Sequence, residues 1–331
     1  MSILKTHIFR SSVIESTHEA KCIIKNINYK TLFSTKHEKE LTYPRSAIKI
    51  FQAIPFIQSN AHQKLNLTQK EIAISCASHS GEKKHLIVLN QWIDKLGIKK
   101  NCLKCGIHNP INLKASNQLL LSGIKPNQLH NNCAGKHLGM ISGSFSNKMK
   151  IDDYININHP YQKLIRNVLE EFTAFKIKKK QIGIDGCGAP QYAFPLENLA
   201  IAMVNLIKQY RNNIKYSKEI RILLNSIFKY PFLTGGTNRF DTELTHITNG
   251  KMFLKGGAEG ILLFAHLSKK IGGIIKIKDG NERAIPSVAI TVFKKLSLLN
   301  KSENQKLSKW NNQIISNHAN ISVGKIITTL E

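Results

Sequence analysis

The sequence predicts an α/β protein whose sheet is built from both ends of the chain. β-branched residues between polar turns fill residues 7–35, and the same pattern returns over residues 251–278. Between these segments apolar residues recur at spacings of three and four, which is typical of helices. We therefore expect one domain over residues 1–331, with a mixed sheet and a helical subdomain at roughly residues 83–230.

The individual elements follow from the same two patterns. Strands are predicted at Ile8–Ile14, Lys21–Ile27, Tyr29–Ser34, Glu71–Cys76, Lys251–Lys255, Gly260–Leu267 and Gly273–Lys278. Helices are predicted at 47–54, 83–96, 135–145, 160–175, 195–210, 218–228 and 286–299. Three of these predicted helices begin at a proline, namely Pro160, Pro195 and Pro286. The segment Asn300–Glu331 is predicted to be a weaker tail.

Length and composition indicate a globular protein. The 331 residues are enough for one or two domains, and 42% of them are hydrophobic. No apolar run approaches the roughly 18 residues of a membrane span, and Met1–Ser12 lacks the apolar core of a signal peptide. Because the six cysteines are scattered along such a chain, we expect reduced thiols and a cytoplasmic protein.

The charge of the chain is strongly positive. With 48 Lys and Arg against 21 Asp and Glu the net charge is +27, which is common among nucleic-acid-binding proteins. The basic residues form no dense tract with interleaved aromatics, so we interpret them as a solvated surface and expect no specific nucleic-acid partner. A non-catalytic basic protein that binds nucleic acid is the alternative that this composition leaves open.

Two lysines, Lys49 and Lys255, lie in short motifs that are typical of serine enzymes with a catalytic lysine. Ser46 and Lys49 are three residues apart at a predicted helix start, so they share one helix face. A neutral lysine amine can remove the proton of a serine hydroxyl and make it a nucleophile. Lys255 begins Lys-Gly-Gly at the end of a late strand. An early S-x-x-K and a late K-x-G resemble the order in penicillin-recognising enzymes, although no S-D-N lies between them.

Two glycine-rich turns each present a cysteine. The first turn, His130–His137, carries Cys133 and, three residues later, Lys136. The second turn, Gly183–Pro190, carries Cys187. Glycines let the backbone approach another group closely, so the two turns together look like two halves of one site.

Other patterns in the chain signal no cofactor. Cys102-x-x-Cys105 is half of a zinc ribbon, but no second pair follows, and we interpret both cysteines as structural. The sequence has no G-x-G-x-x-G, and Gly135-Lys136 lacks the flanking residues of a P-loop. Nucleotide cofactors are therefore not expected.

These motifs resemble the L-asparaginase II family of the Rhizobium etli type nearly from end to end. The resemblance rests on Val13–His18, Tyr43–Lys49, Ser78–Glu82, Cys105–Pro110, His130–His137, Gly183–Pro190, Gly235–Thr242 and Lys255–Gly260. So many motifs in one order argue against a chance match.

The resemblance implies a serine β-lactamase-type fold and the hydrolysis of L-asparagine to L-aspartate and ammonia. It also implies a cytoplasmic homodimer with two Ser–Lys pairs and one zinc ion, and Ser46 is the favoured nucleophile. The residues it implies are Ser46 with Lys49, Ser78 with Lys255, and the zinc ligands Cys133, Lys136 and Cys187.

Three further residues are candidates for substrate binding. Arg45 can pair with the α-carboxylate of the substrate, because a guanidinium binds carboxylates bidentately. His137 and Asp185 neighbour the implied ligands and can orient them or bind the substrate amine. Lysines that converge on one pocket are also expected to lower one another's pKa. A serine amidase of the same fold that acts on glutamine or a short peptide is the other alternative left open.

Overall fold

The computed structural model describes residues 3–331, which divide into two compact units. The sheet unit contains the residues up to Ala47, Phe194–Lys208 and Leu244–Glu331. The helical unit contains Ile48–Ala193 and Gln209–Glu243. None of the helices described is both long enough and apolar enough to cross a bilayer.

The described residues form strands at both ends of the chain and helices mainly between them. The strands are β1 (Leu4–Arg10), β2 (Val13–Asn26), β3 (Thr31–Ser34), β4 (Leu41–Thr42), β5 (Ile182–Ile184), β6 (Pro190–Tyr192), β7 (Phe194–Pro195), β8 (Met252–Gly257), β9 (Ile261–His266), β10 (Ile271–Ile277), β11 (Gln313–Ser316) and β12 (Ser322–Leu330). The helices are α1 (Lys49–Gln52), α2 (Ile54–Gln58), α3 (Ala61–Lys64), α4 (Gln69–Ser75), α5 (Lys83–Leu96), α6 (Leu113–Leu121), α7 (Ala134–Ser146), α8 (Pro160–Thr173), α9 (Leu196–Arg211), α10 (Ser217–Lys229), α11 (Pro231–Thr234), α12 (Phe240–Ile247), α13 (Ile285–Lys295), α14 (Lys301–Lys306) and α15 (Ser308–Asn311).

Eight strands of the sheet unit form one antiparallel sheet. Its order is β11-β12-β1-β2-β10-β9-β8, with β3 paired to β2, so the predicted sheet from both chain ends is confirmed. Every pairing in it is antiparallel, and the expected mixed sheet is wrong in that detail. The connections from β1 to β2 and from β9 to β10 are too short for the crossover that a parallel pair needs.

The sheet unit has an apolar core between its strands and helix α13. All six residues of β9 are buried, and the first five of them, residues 261–265, form an apolar run without alternation. Helix α13 packs on β1, β10 and β12, and the ring of Phe293 meets that of Phe264 edge-on at 4.8 Å between centroids. Strand β8 pairs with β9 over its whole length, so this core also fixes the position of β8.

Helix α4 stands where a strand was predicted at Glu71–Cys76. The run Glu-Ile-Ala-Ile-Ser-Cys has a strand-like composition, but Thr68 and Glu71 form a capping box at the helix start. The Lys70 N–H donates to Thr68 Oγ1 at 3.2 Å, and the Thr68 N–H donates to Glu71 Oε2 at 2.9 Å. The cap satisfies the first N–H groups of the helix, so the strand prediction is wrong because the side chains just before this run favour a helix.

Helix α7 crosses α4 closely. A Cβ on Gly135 would lie 2.1 Å from the Ile74 carbonyl oxygen, so only glycine fits at this crossing. Eleven of its thirteen residues are buried, among them Lys136 and His137. Charged or polar groups that deep in a protein need partners, and those partners define the site.

The remaining differences from prediction lie at element ends and in unmarked segments. The predicted helices are confirmed as α5, α7, α8, α9, α10 and α13, whereas no pattern predicts α6. The helix predicted at 47–54 is a 3-10 turn, Arg45–Ile48, followed by α1 and α2, so helices begin well before residue 83. The tail that was predicted to be weak forms α14, α15, β11 and β12, and residues 324–330 of β12 pair with the whole length of β1.

Candidate active site

Lys49 lies at the centre of a polar cluster in the helical unit. It opens α1, and its side chain is fully buried. Its Nζ donates to the Ala77 carbonyl oxygen, to Ser78 Oγ at 3.0 Å and to Cys133 Sγ at 3.3 Å. Three acceptors hold the amine in one orientation, as a group that exchanges protons with a fixed partner requires.

The turn that carries Ser78 is held by a second loop of the same unit. The Ser78 N–H donates to the Thr234 carbonyl oxygen at 3.0 Å. Four residues along, Glu82 accepts hydrogen bonds from both the N–H and the hydroxyl of Thr237, at 2.8 and 2.6 Å. These bonds fix the backbone on both sides of the Ser78 hydroxyl that accepts from Lys49.

Cys133 and Lys136 are placed by the first turn of α7. Cys133 is the N-cap residue, and its N–H donates to Asn131 Oδ1 at 2.9 Å. Lys136 follows three residues later and therefore lies on the same face of the helix. Both side chains are buried.

A hairpin brings Cys187 to Lys136. Strands β5 and β6 pair antiparallel, and the turn between them presents Cys187. Lys136 Nζ lies 3.0 Å from Cys187 Sγ, so the two cysteine-bearing turns meet. In the same hairpin, Asp185 Oδ1 accepts from the Gly186 N–H at 2.9 Å, while its Oδ2 lies 4.0 Å from Cys187 Sγ.

Cys133, Cys187 and Lys136 shift one another's pKa values. A hydrogen bond from the Cys133 thiol lowers the pKa of Cys187 far below its usual value, and Lys136 and His137 lower it further. The same hydrogen bond, together with burial, raises the pKa of Cys133. Burial alone would lower the pKa of Lys136, but the neighbouring sulfurs raise it above its usual value. The expectation that lysines lower one another's pKa is therefore wrong for Lys136, because thiolate attraction outweighs repulsion between lysines.

His137 adjoins Cys187 in a defined tautomer. The Tyr154 hydroxyl accepts from the Lys104 N–H at 2.8 Å, so it donates its own proton to His137 Nδ1 at 2.6 Å. The other ring nitrogen, Nε2, then carries the proton, and it is buried without a conventional hydrogen-bond partner in residues 3–331. Burial lowers the pKa of His137, and the Cys187 thiol opposes this effect. In this tautomer the Nε2 proton of His137 can be shared with the Cys187 sulfur.

The donors around Lys136 fit a zinc ion. Two sulfurs and one amine nitrogen are ligands that Zn²⁺ accepts in a tetrahedral set, with one position left over. Across the described range no three side chains of His, Cys, Asp and Glu are grouped to hold a metal. The amine of Lys136, 3.0 Å from Cys187 Sγ, is the third ligand that the family resemblance implies for a metal bound by Cys133 and Cys187.

Three predicted site residues lie in the sheet unit, at one end of β8. Arg45 has a φ of 52°, a left-handed conformation that is costly for a residue with a Cβ. Lys255 is buried on β8. A Cβ on Gly257 would lie 2.5 Å from the Pro44 carbonyl oxygen, so glycine lets the end of β8 approach the turn that carries Ser46.

Each of the two Ser–Lys pairs that the resemblance implies consists of one residue of the sheet unit and one residue of the helical unit. Ser46 and Lys255 belong to the sheet unit, whereas Lys49 and Ser78 belong to the helical unit. Within the helical unit, the hydroxyl that accepts from Lys49 is that of Ser78. The pairings of Ser46 with Lys49 and of Ser78 with Lys255 stay predictions.

Two buried residues beside the site were missed by sequence reasoning. Tyr154 orients His137, and no motif marks it. His79 is fully buried, accepts the Gly81 N–H at its Nδ1 and has no conventional partner for Nε2 among the described residues. Burial holds the pKa of His79 well below its usual value, so this ring is neutral. Its position inside the motif Ser78–Glu82 was the signal that could have revealed it.

The rival cysteine pair lies in a different environment. Cys105 is buried, and its thiol donates to the Gln128 carbonyl oxygen at 3.6 Å. Burial raises the pKa of Cys105 to about 12, so it is held as an unreactive thiol. Cys102 is partly exposed.

Nearly the whole chain matches one protein family. The family model described as L-asparaginase II matches residues 6–328. The chain belongs to the L-asparaginase II family. The resemblance carried by the sequence motifs is thereby confirmed, and membership of the L-asparaginase II family assigns the protein to asparaginase-like enzymes that act on amides.

Other known proteins add little to this assignment. A solved structure of a candidate β-lactamase from Bacteroides dorei DSM 17855 is similar with a TM-score of 0.43 and 10% sequence identity. The similarity covers 83% of this chain and 92% of that chain. No curated protein matches closely enough to count as a relative. Membership of the L-asparaginase II family therefore rests on the family match.

Proposed function

We propose that the protein hydrolyses L-asparagine to L-aspartate and ammonia with a serine nucleophile activated by lysine. The observation that carries this proposal is the buried Lys49 amine, hydrogen-bonded to a serine hydroxyl, in a chain of the L-asparaginase II family. A fixed, buried amine beside a hydroxyl is the arrangement that serine activation by lysine requires.

The proposed reaction begins at Ser46. In the reactive form of the enzyme Lys49 has released one of its three N–H protons to solvent; the neutral amine then takes the proton of the Ser46 hydroxyl, and Ser46 Oγ attacks the side-chain amide carbon of asparagine. The Ser46 N–H donates to the oxygen on which negative charge develops. The protonated lysine then returns its proton to the leaving nitrogen, which departs as ammonia, and water releases aspartate from the acyl-enzyme.

Ser78 and Lys255 form the proposed second pair, which polarises the amide or relays a proton. The hydrogen bond from Lys49 to Ser78 gives this serine a second possible role, because the same amine could activate it instead of Ser46. Ser78 is therefore the alternative nucleophile.

A zinc ion is proposed to be held by Cys133, Lys136 and Cys187. When bound, it would supply a Lewis acid and a fixed wall for the pocket. His137 is proposed to donate its Nε2 proton toward the Cys187 sulfur and so to orient this zinc ligand, as residues that hydrogen-bond to metal ligands do. Asp185 is proposed to bind the substrate amine.

Arg45 completes the proposed recognition of asparagine by pairing with its α-carboxylate. Its left-handed backbone is a costly conformation of a kind that accumulates at functional sites. The cytoplasmic location and the homodimer implied by the family resemblance stay predictions.

The test is ammonia release from asparagine, glutamine and a dipeptide amide by the wild type, Ser46→Ala and Ser78→Ala. We expect asparagine to be the best substrate and Ser46→Ala to be nearly inactive. A Ser46→Ala enzyme that keeps most of its turnover, with Ser78→Ala inactive, would move the nucleophile to Ser78.

The same panel separates the alternatives. Faster release from glutamine or the dipeptide amide would favour an amidase of different specificity. Release from none of the three, together with salt-sensitive RNA binding, would favour the non-catalytic basic protein.

A further inference from the structure

The turn that follows Ser78 is closed by the side chain of a buried histidine. His79 is 0% exposed and lies inside the motif Ser78–Glu82. Its Nδ1 accepts a hydrogen bond from the Gly81 N–H at 3.1 Å, so the ring binds its own backbone two residues further on. Because Nδ1 is the acceptor, the proton of the neutral ring lies on Nε2.

A stack of three rings restricts the orientation of His79. Its ring lies over that of His85 at 5.2 Å between centroids, and His85 lies over Phe232 at 4.9 Å. Both nitrogens of His85 are bonded, since Nδ1 accepts from the Glu82 N–H at 3.2 Å and Nε2 then donates to the Phe232 carbonyl oxygen at 3.1 Å. The stack therefore rests on a fixed base, and it keeps Nδ1 of His79 in place for the Gly81 N–H.

Packing alone does not explain an imidazole at residue 79. Its Nε2 is buried and has no conventional hydrogen-bond partner among residues 3–331, and a buried donor in this state destabilises a fold. A phenylalanine could make the same stack without that penalty. Burial holds the pKa of His79 well below its usual value, so the ring stays neutral and Nδ1 stays able to accept. Four neighbours that can carry positive charge lower this pKa further, namely Lys49, His85, His108 and His130.

The turn that His79 closes also carries acceptors of Lys49. The Lys49 Nζ donates to the Ala77 carbonyl oxygen and to Ser78 Oγ, and its third acceptor is Cys133 Sγ. Two of these three acceptors therefore belong to the two residues that directly precede His79. A displacement of this turn would move both acceptors together and would leave the amine of Lys49 misaligned.

We propose that His79 is a positioning residue, whose Nδ1 bond to the Gly81 N–H holds the turn at residues 77–81 and so keeps Ser78 and Lys49 aligned for the reaction. This role rests on the proposed function, in which Lys49 is the base. Small displacements of catalytic groups slow the chemical step, so the turn should affect kcat. Substrate binding is proposed for Arg45 and Asp185, so KM should change little.

Two substitutions in the full-length protein separate the acceptor from the ring. His79→Phe keeps a ring for the stack but has no acceptor for the Gly81 N–H. Its melting temperature should be no lower than that of the wild type, while kcat for ammonia release falls at least about tenfold and KM stays within about twofold. His79→Asn loses the ring, but an asparagine oxygen can accept from the N–H two residues on, so kcat should stay within about threefold of the wild type. A residue needed only for packing would give the reverse order.

His62→Phe is the matched control. His62 is also buried in the helical unit, its Nδ1 has no partner within the described range, and its ring meets that of Phe56 edge-on at 6.3 Å. This variant exchanges the same two side chains at a place outside the turn. Its kcat should stay within about twofold of the wild type. An equal loss of kcat in His62→Phe and His79→Phe would overturn the proposal.

Hydrogen exchange of the amides at residues 79–82, followed by mass spectrometry, supplies a readout that needs no activity. The Gly81 N–H should exchange at least about tenfold faster in His79→Phe, and at nearly the wild-type rate in His79→Asn. Unchanged exchange in His79→Phe would overturn the proposal, whether or not the wild type releases ammonia. A wild type that is inactive on all amides would refute the proposed function alone.

The activity data can overturn the proposal in three further ways. His79→Phe could keep a normal kcat, or it could lose kcat only together with its stability. His79→Asn could be as inactive as His79→Phe, which would show that the acceptor for Gly81 is not what matters.

Discussion

Two charged side chains are buried in neighbouring helices of the helical unit, and their surroundings differ. Glu71 of α4 accepts from Thr68 and from Lys95 Nζ at 2.5 Å, so each carboxylate oxygen has a partner. Lys136 of α7 faces Cys187 at 3.0 Å, in a cluster where the Nε2 proton of His137 has no conventional acceptor among residues 3–331. Both oxygens of Glu71 are therefore hydrogen-bonded within the chain, whereas the cluster around Lys136 includes a proton that is still available for a hydrogen bond.

The difference shows that one buried charge, that of Glu71, stabilises the fold, whereas the other, that of Lys136, lies where it can take part in a reaction. Thr68 and Glu71 cap a helix; burial would raise the pKa of Glu71, but hydrogen bonds from Lys95 and Thr68 lower it. The partners of Lys136 are thiols, which can themselves gain or lose protons or bind a metal. We therefore expect changes at Glu71 to affect mainly folding and changes around Lys136 to affect mainly activity.

The largest effect is expected at Lys49, on the activity side of this comparison. Lys49→Met should lower kcat/KM by roughly a thousandfold or more, because it removes the proposed base. Ser46→Ala should lose as much, and the double variant no more than either, since the two residues act as one unit. Steady-state ammonia release measures all three. If the losses of the two single variants added up in the double variant, the pairing of Ser46 with Lys49 would be contradicted.

The second effect concerns zinc. Cys133→Ser and Cys187→Ser should each weaken zinc binding by roughly a hundredfold or more, raise KM and lower the melting temperature modestly. Elemental analysis of the purified proteins measures the metal. The control is the double variant Cys102→Ser, Cys105→Ser, which should keep its zinc. The reverse pattern would place the metal at the other cysteine pair.

A smaller effect, on stability only, is expected at Glu71. Glu71→Gln should lower the free energy of unfolding by about 2 kcal/mol, because it leaves Lys95 without its partner and weakens the cap. Its kcat/KM should stay within about twofold of the wild type. Urea unfolding and ammonia release decide the matter, and a stable but inactive variant would contradict the structural role of Glu71.

The smallest effect is the pH dependence of that loss. The folded-state pKa of Glu71 lies below its ordinary value of 4.5, so its contribution is present above that pH and fades as the pH falls through the folded-state pKa. The difference in unfolding free energy between wild type and Glu71→Gln should therefore shrink as the pH falls below 4.5. A difference that stays constant down to pH 3 would show that the charge of Glu71 is not involved.

Much of the fold could be predicted because periodic patterns carry it. The apolar spacing in α8 and α10 and the continuous apolar run of β9 each point to one structure. Helix α4 shows where this fails, since a capping box at Thr68 outweighs a strand-like composition. Helix α6 could not be predicted, because none of its residues is buried against the chain.

The candidate site divides in the same way. Cys133, Lys136 and Cys187 stand in marked turns, and the structure brings Lys136 to Cys187. The hydrogen bond from Lys49 to Ser78 joins residues 29 positions apart, and the sequence contains no spacing that predicts it. Tyr154 is beyond sequence reasoning because a single tyrosine in a loop resembles any other.

The most direct test of the account is to compare Lys136→Met with Glu71→Gln in one set of ammonia-release and unfolding measurements. Methionine keeps the length of the lysine side chain, and the thiols can take up protons once the cation is gone. Lys136→Met should therefore lose roughly a hundredfold in kcat/KM while its free energy of unfolding changes by no more than about 1 kcal/mol. Near-normal turnover in Lys136→Met, combined with a loss of stability as large as that of Glu71→Gln, would contradict the account.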